Sequence, residues 1–435
     1  MARLALLLKD YGFDVRGCDV QERFSSDEYL LEGGIMIDIG FDRSLLGAEW
    51  ELVIYSSAYP LSTDILSFAL EKALPIYSYP EFLALLSTLQ PTYVVVGTHG
   101  KTTTTSVLDH LLGQEGGYWS LYGSNLITKE GSARSGNRFA LLEGCEYQDH
   151  FLLYRAAGAL LLSVEFDHPD YFNDLEAVYA SFKQLVDGIQ PNGVFVYNND
   201  QEGSRLIGEY ARETRTDLKI LSFGFDEGSD VPIRKEGAFR YRIDNHVLHL
   251  TVSANPLVLD HLGALVFARS IKEVQTDPTI LAQRLASFGG VGGRLEYMGQ
   301  RRGVLFFDDY AHHPSEIIVS LDEMRSRFHD KKILVLFTPH TSSRTHSLLS
   351  EFAQALSQAD YLILQPTFAS ARKDEEGDPL LLYNVLTKKV DCTYAGDDET
   401  AVDLTLARLK EGWLCITMGA GNNRALNSRF LRSDW

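Results

Sequence analysis

The segment VVVGTHGKTTTTSVLDHLL, residues 94–112, restricts the fold more than any other part of the sequence. An apolar run ends at Gly97, a second glycine follows at Gly100, and Lys101 opens a stretch with a helical pattern. A buried strand, a tight glycine loop and a helix in this order aim backbone N–H groups and the positive helix end at an anion. The pattern predicts an α/β domain with a phosphate-binding loop; the alternative is an ordinary strand–helix turn with an exposed lysine.

The loop departs from the standard pattern G-x-x-x-x-G-K-[ST], because Val95 stands where that pattern requires its first glycine. In the shortened loop, the Lys101 ammonium is expected to reach the outer phosphates of a nucleoside triphosphate, and the hydroxyl of Thr102 or Thr103 to take a Mg²⁺ position. The predicted nucleotide-binding residues of the loop are Gly97, Thr98, His99, Gly100, Lys101, Thr102 and Thr103.

Composition limits the classes of partner. The 435 residues exceed one ordinary core, so two or three domains are expected. The net charge is 40 − 59 = −19, which argues against a nucleic acid or an acidic membrane surface as partner. No apolar run approaches the roughly 20 residues of a membrane span. Four widely spaced cysteines predict neither a zinc site nor disulfides and favour a reducing cytoplasm.

Strand-like and helix-like stretches alternate along the chain and divide it into three segments. Residues 1–88 carry one such series, a second fills residues 89–291, and the glycine-rich stretch GGVGGRLEYMG marks the start of a third, residues 292–435. The alternation predicts parallel sheets with helical crossovers. The period-two pattern near residues 239–254 predicts an antiparallel portion.

Polar side chains follow two apolar strands of the second segment. Glu143 ends the strand in FALLEG, and His168 follows the strand in GALLLSVEF. The carboxyl ends of parallel strands meet at one edge of a sheet, where α/β proteins bind ligands. Together with Thr102, these side chains are the predicted Mg²⁺ ligands, and Glu146 is a less favoured substitute for Glu143. The alternative for each is an ordinary solvated or core residue.

The third segment has two further polar strand ends. The cluster DDYAHHP, residues 308–314, follows the strand GVLFF, and two acids with two imidazoles there are hard to explain by packing. His313 has an alternative role as a cap of the helix that begins at Pro314. His340 and Arg344 follow the next strand, where the planar Arg344 guanidinium could clamp a carboxylate.

Five motifs together resemble those of the Mur ligase family, the amide-forming ligases of peptidoglycan precursor synthesis. GTHGKTT matches the family's ATP loop, G-[TS]-[NH]-G-K-T-[TS]. LLEGCEYQDHFL and VEFDHPDYF are similar to its metal-binding Glu strand and Asp-His turn, and FFDDYAHHPSEI is similar to its D-D-Y-[GA]-H-H-P motif. FTPHTSSRT resembles the Q-P-H-R-[YF]-[TS]-R-T loop of one branch. The motifs occur in the family's order and span nearly the whole chain.

The resemblance implies an architecture and a reaction. The first and third of three α/β domains would be Rossmann-like, and the central one a P-loop ATPase-like domain with a mostly parallel sheet. ATP would phosphorylate the lactyl carboxylate of UDP-N-acetylmuramate, and the amine of L-alanine would then attack the acyl phosphate, so that an amide, ADP and phosphate result. Such an enzyme would use ATP and Mg²⁺ in the cytoplasm as a monomer or weak homodimer.

The resemblance also assigns roles to residues. Lys101, His312 and Arg344 would act in catalysis. Arg294 and Asp309 would help to hold the nucleotide. The residues expected to contact the two substrates are Ser56 and Ser57, at the end of the strand in ELVIYSSAY, together with His340 and Arg344.

Two other functions remain open. VEFDHPDYFNDL is more similar to the ligases that reattach a recycled murein tripeptide, L-Ala-D-Glu-diaminopimelate, whereas the His340 loop and TMGAG favour the L-alanine branch. The second alternative is a ligase-like nucleotide-binding protein without ligase activity. A kinase is less favoured, because nothing resembles a hydroxyl-acceptor site.

The chain departs from the family pattern at several places. The family's glycine loop for uridine diphosphate should precede ARLALLL, so we expect either a missing natural start, which is favoured, or an impaired sugar-nucleotide site. Asp260 and Gly263 replace the asparagines of H-N-x-x-N-A, so the adenine contacts are expected to differ. Thr341 and Gly293 each replace an arginine. Lys183, on a helix where some Mur ligases carry a carbamylated lysine, is interpreted as solvated.

Overall fold

The computed structural model describes residues 1–21, 25–47, 49–123, 136–368, 380–421 and 423–433. Within these ranges the strands and helices form three successive α/β units. None of the helices in the described part of the chain is both long and apolar enough to cross a membrane.

The first unit consists of short strands and helices. Its elements are α1 (Ala2–Asp10), β1 (Gly17–Asp19), α2 (Ser25–Glu32), β2 (Ile37–Ile39), β3 (Val53–Tyr55), α3 (Asp64–Glu71), β4 (Ile76–Ser78) and α4 (Tyr79–Ser87). The predicted alternation and the parallel crossovers are present. The strands pair β1 with β2 and β3 with β4, so the described strands of this unit form two separate parallel pairs rather than one continuous sheet.

The second unit is built on a large sheet. Its strands are β5 (Thr92–Val96), β6 (Tyr118–Leu121), β7 (Phe139–Glu143), β8 (Ala156–Leu161), β9 (Val194–Asn198), β10 (Lys219–Gly224), β11 (Val231–Lys235), β12 (Arg240–Ile243) and β13 (His246–His249). Its helices are α5 (Lys101–Leu112), α6 (Leu175–Gly188), α7 (Glu202–Thr214), α8 (Asn255–Ala268) and α9 (Pro278–Ala286). The strand order is β13-β12-β11-β10-β9-β8-β5-β7-β6. Because β11, β12 and β13 pair antiparallel, the predicted antiparallel portion is confirmed.

Strand β5 lies between β8 and β7 in the interior of this sheet and is buried along its whole length. Successive side chains of a strand point to opposite faces. Tyr93 and Val95 therefore pack in the core beneath α5 and α8, whereas Val94 and Val96 pack with residues of α1, α4 and α6 on the other face. Both neighbours of β5, which are β7 and β8, run parallel to it. Their carboxyl ends and the loop after β5 consequently meet at one edge of the sheet.

The third unit has a second mixed sheet. Its strands are β14 (Glu296–Arg301), β15 (Val304–Asp309), β16 (Lys332–Thr338), β17 (Tyr361–Leu364), β18 (Cys392–Tyr394) and β19 (Trp413–Gly419). Its helices are α10 (Pro314–Arg327), α11 (Ser342–Ser347), α12 (Leu349–Leu356), α13 (Leu381–Leu386), α14 (Asp398–Arg408) and α15 (Asn423–Arg432). The strand order is β14-β15-β19-β16-β17-β18, and β14 runs antiparallel to β15 while the other pairs are parallel.

The described strands give each unit its own sheets, and no sheet among them joins two units. We propose domain boundaries at residues 1–88, 89–291 and 292–435, because each of these ranges holds one set of sheets and the helices that cover it.

Candidate active site

The loop between β5 and α5 is shaped by two glycines with left-handed backbone. Gly97 has a φ of +142° and Gly100 a φ of +80°, values that residues with a side chain rarely adopt. A Cβ built on Gly100 would lie 2.4 Å from Asp260 Oδ1, and one on Gly97 would lie 2.9 Å from the Ser163 backbone nitrogen. Gly100 is also the N-cap of α5, so the N–H groups of the first helical turn are left for a ligand.

Replacing Gly100 by alanine is expected to lower both stability and nucleotide affinity. The left-handed backbone alone costs an alanine about 1–2 kcal/mol, and the new methyl group would collide with the Asp260 carboxylate. Thermal unfolding and calorimetric titration with ADP measure the two effects. The matched control is Gly188→Ala at the end of α6, where an added Cβ meets nothing within 4 Å. If Gly100→Ala and Gly188→Ala had the same thermal stability and the same ADP affinity, the loop would have room for a side chain at position 100, which contradicts the prediction.

The Lys101 ammonium is held at the mouth of the loop. Nζ donates to the Gly97 carbonyl oxygen at 2.5 Å, to the Thr98 carbonyl oxygen at 3.0 Å and to Glu146 Oε2 at 2.8 Å. Burial lowers the pKa of Lys101, but the neighbouring acidic groups, Glu146 foremost, together raise it more, and the resulting pKa lies above the ordinary value. Lys101 is therefore a fixed positive charge beside the N-terminus of α5.

Glu143 lies directly beside the loop, as its place at the end of β7 predicts. Its Oε1 accepts a hydrogen bond from the Thr102 hydroxyl at 2.8 Å, and its Oε2 accepts one from the Gly123 backbone N–H at 2.8 Å. A hydroxyl and a carboxylate in contact offer two oxygen donors to a hard cation. Thr103, the other predicted hydroxyl, does not line the cavity described below.

His168 lies with two carboxylates after the end of β8. Its Nε2 is 3.7 Å from Glu146 Oε1 and 3.8 Å from Asp167 Oδ2, and donor atoms of the three residues lie within 4.8 Å of one another. Burial lowers the pKa of His168, which favours the neutral, metal-binding ring. Glu146 Oε1 is buried without a hydrogen-bond partner. The geometry thus groups His168 with Glu146 and Asp167, and Glu143 with Thr102.

Arg344 reaches this cluster from the third unit. Its Nε donates to Asp167 Oδ1 at 2.8 Å and its Nη2 to Asp167 Oδ2 at 3.2 Å, while Nη1 lies 3.0 Å from His340 Nδ1. Arg344 is only 4% exposed. Burial raises the pKa of the Asp167 carboxyl, but the Arg344 guanidinium, together with the nearby His168 and His313 rings, lowers it more, to well below its ordinary range. A two-pronged ion pair thus joins the second and third units.

The loop that carries His340 and Arg344 is strained. Thr341, which stands where the family has an arginine, has a φ of 63° and a ψ of 140°, an outlier for a β-branched residue. Strain of this kind is concentrated at functional sites, where the surrounding structure maintains it. His340 itself does not line either cavity described below; its ring lies beside the ring of His312, with centroids 5.4 Å apart.

The residues of the DDYAHHP turn differ in position and role. Asp309 is buried beneath the turn, where it accepts hydrogen bonds from the Ser320 hydroxyl and the Ala311 N–H, and burial raises its pKa to about 6. His312 faces the loop of the second unit. His313 Nδ1 accepts from the Ser315 N–H as the N-cap of α10, which is the alternative role predicted for it. Asp309 therefore supports the turn and does not line the smaller cavity.

These groups surround a cavity of about 350 Å³ at the junction of the second and third units. The residues predicted from the sequence that line it are Thr98, His99, Gly100, Lys101, Thr102, Glu143, the less favoured Glu146, His168, Arg294, His312 and Arg344, joined by Asp167 and Glu316. The Arg294 guanidinium lies over the Tyr310 ring, 5.2 Å from its centroid. Gly97, Thr103 and Asp309 are not in the lining.

The charges of the lining are nearly balanced. The cations are Lys101, Arg294, Arg344 and the ring of His99, and the carboxylates are Glu143, Glu146, Asp167 and Glu316. A triphosphate adds several negative charges to this lining. Divalent cations held by the carboxylates would offset them, so the composition of the cavity fits a metal–nucleotide complex.

A larger cavity of about 1130 Å³ adjoins the first and lies against the first unit. The two share five lining residues: Gly123, Glu143, Gly292, Gly293 and Tyr310. Ser56 lines the larger cavity, whereas Ser57 is exposed and does not. Two compartments with a common wall suit a reaction between two bound molecules.

The matches to known proteins cover all three units. The model of the Mur ligase family catalytic domain matches residues 1–90, that of the Mur ligase middle domain residues 95–253, and that of the Mur ligase glutamate ligase domain residues 293–421. A UDP-N-acetylmuramate–L-alanine ligase of Desulfitobacterium hafniense is 33% identical over 426 residues, which cover 94% of this chain and 92% of that protein. The chain belongs to the Mur ligase family.

Other relatives agree with this membership. A UDP-N-acetylmuramate–L-alanine ligase of Treponema pallidum is 33% identical over 449 residues, 97% of this chain and 92% of that protein. Among solved structures, the UDP-N-acetylmuramate–alanine ligase of Thermotoga maritima gives a TM-score of 0.80 at 21% identity, covering 99% of this chain and 95% of that one. A murein peptide ligase of Psychrobacter arcticus gives 0.75 at 21% identity over the same shares. These structural likenesses establish the three-domain Mur ligase fold.

Two departures from the Mur ligase pattern have a structural reason. A Cβ on Gly263 would lie 2.6 Å from the Phe223 ring, so the family's asparagine does not fit there. Asp260 replaces the other asparagine, and its carboxylate occupies the space where a side chain at position 100 would lie. Burial raises the pKa of Asp260 to about 7. Lys183 lies on α6 with its ammonium 5.5 Å above the Tyr210 ring and lines neither cavity of this Mur ligase. It is half-buried, and therefore less solvated than the sequence interpretation expected.

Proposed function

We propose that this chain is an ATP-dependent ligase that joins L-alanine to UDP-N-acetylmuramate and releases ADP and phosphate. The observation that carries the proposal is the cavity in which Lys101 of the glycine loop and Arg344 of the third domain face one carboxylate cluster. The relatives named UDP-N-acetylmuramate–L-alanine ligase, which match nearly the whole chain, support this choice of substrates.

The nucleotide is proposed to bind in the smaller cavity, with its phosphates on the N–H groups of the glycine loop and on Lys101 and Arg294. Mg²⁺ would be held by Thr102, Glu143, Glu146, Asp167 and His168, whose oxygen and imidazole donors fit it. The metal would supply neutralising charge for the transferred phosphoryl group. The orphaned buried oxygen of Glu146 supports this assignment, because such an atom calls for a partner.

The two substrates are proposed to meet at the wall that the cavities share. The sugar nucleotide occupies the larger cavity, with Ser56 in the cavity lining. Its lactyl carboxylate points toward Glu143 and Lys101 and receives the phosphoryl group there. Arg344 holds the carboxylate of L-alanine, and the contact of its Nη1 with His340 places the guanidinium. His312 lines the same cavity, with its ring beside that of His340. Asp309 is proposed to act indirectly, because its side chain lies beneath the DDYAHHP turn and holds that turn in place.

Exclusion of water from the smaller cavity is proposed to protect the acyl-phosphate intermediate. An acyl phosphate is hydrolysed by water unless water is kept out. The Asp167–Arg344 ion pair and the neighbouring contacts between the second and third domains hold the smaller cavity together. We further propose a monomer or weak homodimer in the cytoplasm with no nucleic-acid or membrane partner; the net charge of −19 and the four unpaired cysteines support this.

A second candidate is a ligase for a recycled tripeptide. The turn VEFDHPDYF favours it, and a murein peptide ligase shares the fold of the whole chain. The test supplies ATP, Mg²⁺ and UDP-N-acetylmuramate with either L-alanine or L-alanyl-γ-D-glutamyl-meso-diaminopimelate and follows phosphate release. Release with L-alanine supports the first proposal and release with the tripeptide the second. Release with neither amine overturns both and leaves a nucleotide-binding protein.

Metal dependence tests the proposed ligands. Chelation of Mg²⁺ is expected to abolish phosphate release. In His168→Ala the Mg²⁺ concentration for half-maximal rate should rise by roughly tenfold or more, since one donor of the cluster is lost. A Mg²⁺ titration of the rate measures this. His249→Ala, on the exposed face of β13, is the matched control, and an unchanged Mg²⁺ response in His168→Ala would remove this residue from the site.

A further inference from the structure

His99 in the glycine loop contacts the third domain with its side chain. Nδ1 lies 3.3 Å from Glu316 Oε1 of α10, and Nε2 lies 3.5 Å from Glu165 Oε2 of its own domain. The His313 ring lies against the His99 ring with centroids 4.5 Å apart. One imidazole thus stands between two carboxylates, one from each domain.

Both carboxylates are tied to the start of α10. Glu316 Oε2 accepts the backbone N–H groups of His312 at 3.0 Å and His313 at 3.3 Å. Glu165 Oε2 accepts the Ser315 hydroxyl at 2.7 Å. The Glu165 N–H also donates to the Thr98 hydroxyl at 2.8 Å. These hydrogen bonds and ion pairs connect the glycine loop to the DDYAHHP turn and the start of α10 through Glu165 and Glu316.

The charge state of His99 suits this position. A neutral imidazole donates one hydrogen bond, whereas an imidazolium donates two. Burial lowers the pKa of His99, but Glu165 and Glu316 raise it more, to about 10. The ring is therefore cationic near neutral pH; its Nδ1 is hydrogen-bonded to Glu316, and its Nε2 forms an ion pair with Glu165.

A metal ion is a less suitable occupant of this cluster. Donor atoms of His99, Glu165 and His313 lie within 4.8 Å of one another. The Nδ1 of His313, however, already accepts a hydrogen bond as a helix cap, and Glu165 already accepts from Ser315. The Nε2 atoms of His99 and His313 have no hydrogen-bond partner among the described residues, but the raised pKa of His99 keeps its ring cationic, and a cationic ring repels a metal ion. The groups therefore form an ion cluster around the His99 ring.

We propose that His99 is a positioning residue, whose charged ring joins the phosphate loop to α10 and so places His312, Arg294 and Arg344 over the bound nucleotide. The inference rests on the proposed function, since it names what sets the geometry of that same cavity. The loop backbone, which is proposed to bind the phosphates, does not depend on the His99 side chain. Loss of the ring should therefore affect turnover more than nucleotide binding.

A double-mutant cycle tests the link. In His99→Asn the single amide nitrogen cannot serve both carboxylates, so kcat for phosphate release should fall roughly tenfold to a hundredfold, while affinity for a non-hydrolysable ATP analogue stays within about threefold. Glu316→Gln should cause a comparable fall. The double variant should be no slower than the slower single variant, because both changes break the same His99–Glu316 contact and Glu316→Gln removes one of the two charges that His99→Asn leaves unpaired.

The control is another contact between the same two domains. Glu323 of α10 accepts the N–H groups of Ser253 at 2.9 Å and Ala254 at 2.6 Å, without touching the loop. The effect of Glu323→Gln should add to that of His99→Asn. Three results would each overturn the proposal. One is a wild-type kcat in His99→Asn, and another is additivity of the effects of His99→Asn and Glu316→Gln. The third is a loss of analogue affinity in His99→Asn as large as its loss of kcat.

Small-angle X-ray scattering separates this inference from the proposed function. With the analogue and Mg²⁺, the wild-type radius of gyration should decrease, and His99→Asn should show a smaller decrease while Glu323→Gln/His99→Asn shows the smallest. If the wild type releases no phosphate with either amine, the proposed function fails. The scattering measurement then still tests whether His99 joins the phosphate loop to α10. Equal compaction of the wild type and His99→Asn would overturn it.

Discussion

Lys101→Met is expected to lower the rate of phosphate release by roughly a hundredfold to a thousandfold, the usual effect of losing one charge aimed at a transition state. The Lys101 ammonium sits at the loop mouth, fixed by two carbonyl oxygens and Glu146. In the reaction it is proposed to stabilise charge on the transferring phosphoryl group. Methionine keeps the length of the side chain and removes the charge. Steady-state phosphate release with saturating L-alanine measures the effect.

The interpretation of Lys101→Met requires a folded protein, because the change leaves Glu146 buried without its cation. The double variant Lys101→Met with Glu146→Gln removes that charge; it should regain thermal stability without regaining activity. The matched control is Lys183→Met, whose lysine lies over Tyr210 on α6 and should change the rate by less than about twofold. A Lys101→Met protein that is stable and retains wild-type turnover would refute the proposed role.

Arg344→Ala is expected to lower kcat/KM for L-alanine by roughly a hundredfold or more. The change removes the proposed clamp for the amino-acid carboxylate and leaves Asp167 buried and unpaired, and breaking such a buried pair typically costs about 3–5 kcal/mol. Arg344→Lys retains the charge but loses the two-pronged contact, so about a tenfold loss is expected. Initial rates at varied L-alanine concentration, with ATP and the sugar nucleotide saturating, give the values.

An exposed arginine of the same domain is the control for Arg344. Arg408 on α14 pairs with Asp391 at the surface, with a 45% exposed side chain, and Arg408→Ala should leave kcat/KM within about twofold. The assignment is wrong if Arg344→Ala raises the KM for ATP and leaves the response to L-alanine unchanged. In that case Arg344 would belong to the nucleotide site.

The glycine loop was predictable because its signal is local. An apolar strand, two glycines and a lysine occupy consecutive positions, and the structure realises them as β5, the left-handed Gly97 and Gly100, and the first turn of α5. The placement of Glu143 was predictable for a similar reason, since strand ends of a parallel sheet share one edge. The order of α/β units along the chain follows from the same alternation.

The contacts between domains were not predictable from local patterns. Asp167 belongs to the turn that resembles the family's Asp-His turn, but it was given no role of its own, and its partner Arg344 is 177 positions further along the chain. Its place directly beside a predicted ligand was the available signal. Glu146 was ranked below Glu143 because sequence spacing does not show which oxygens face His168 after the turn. Asp309 was expected to hold the nucleotide, yet its side chain is buried beneath the turn.

The pairing of Lys101 with Glu146 and of Arg344 with Asp167 has a consequence for competition by simple anions. Lys101 and Arg344 each already have a counter-ion, so inorganic phosphate or sulfate must separate an existing pair before it can bind to either of them. A metal-bound nucleotide brings positive charge for the two carboxylates and negative charge for the two cations at once. Millimolar salt anions in the cell should therefore occupy this pocket poorly, and the resting enzyme stays ready for its own substrate.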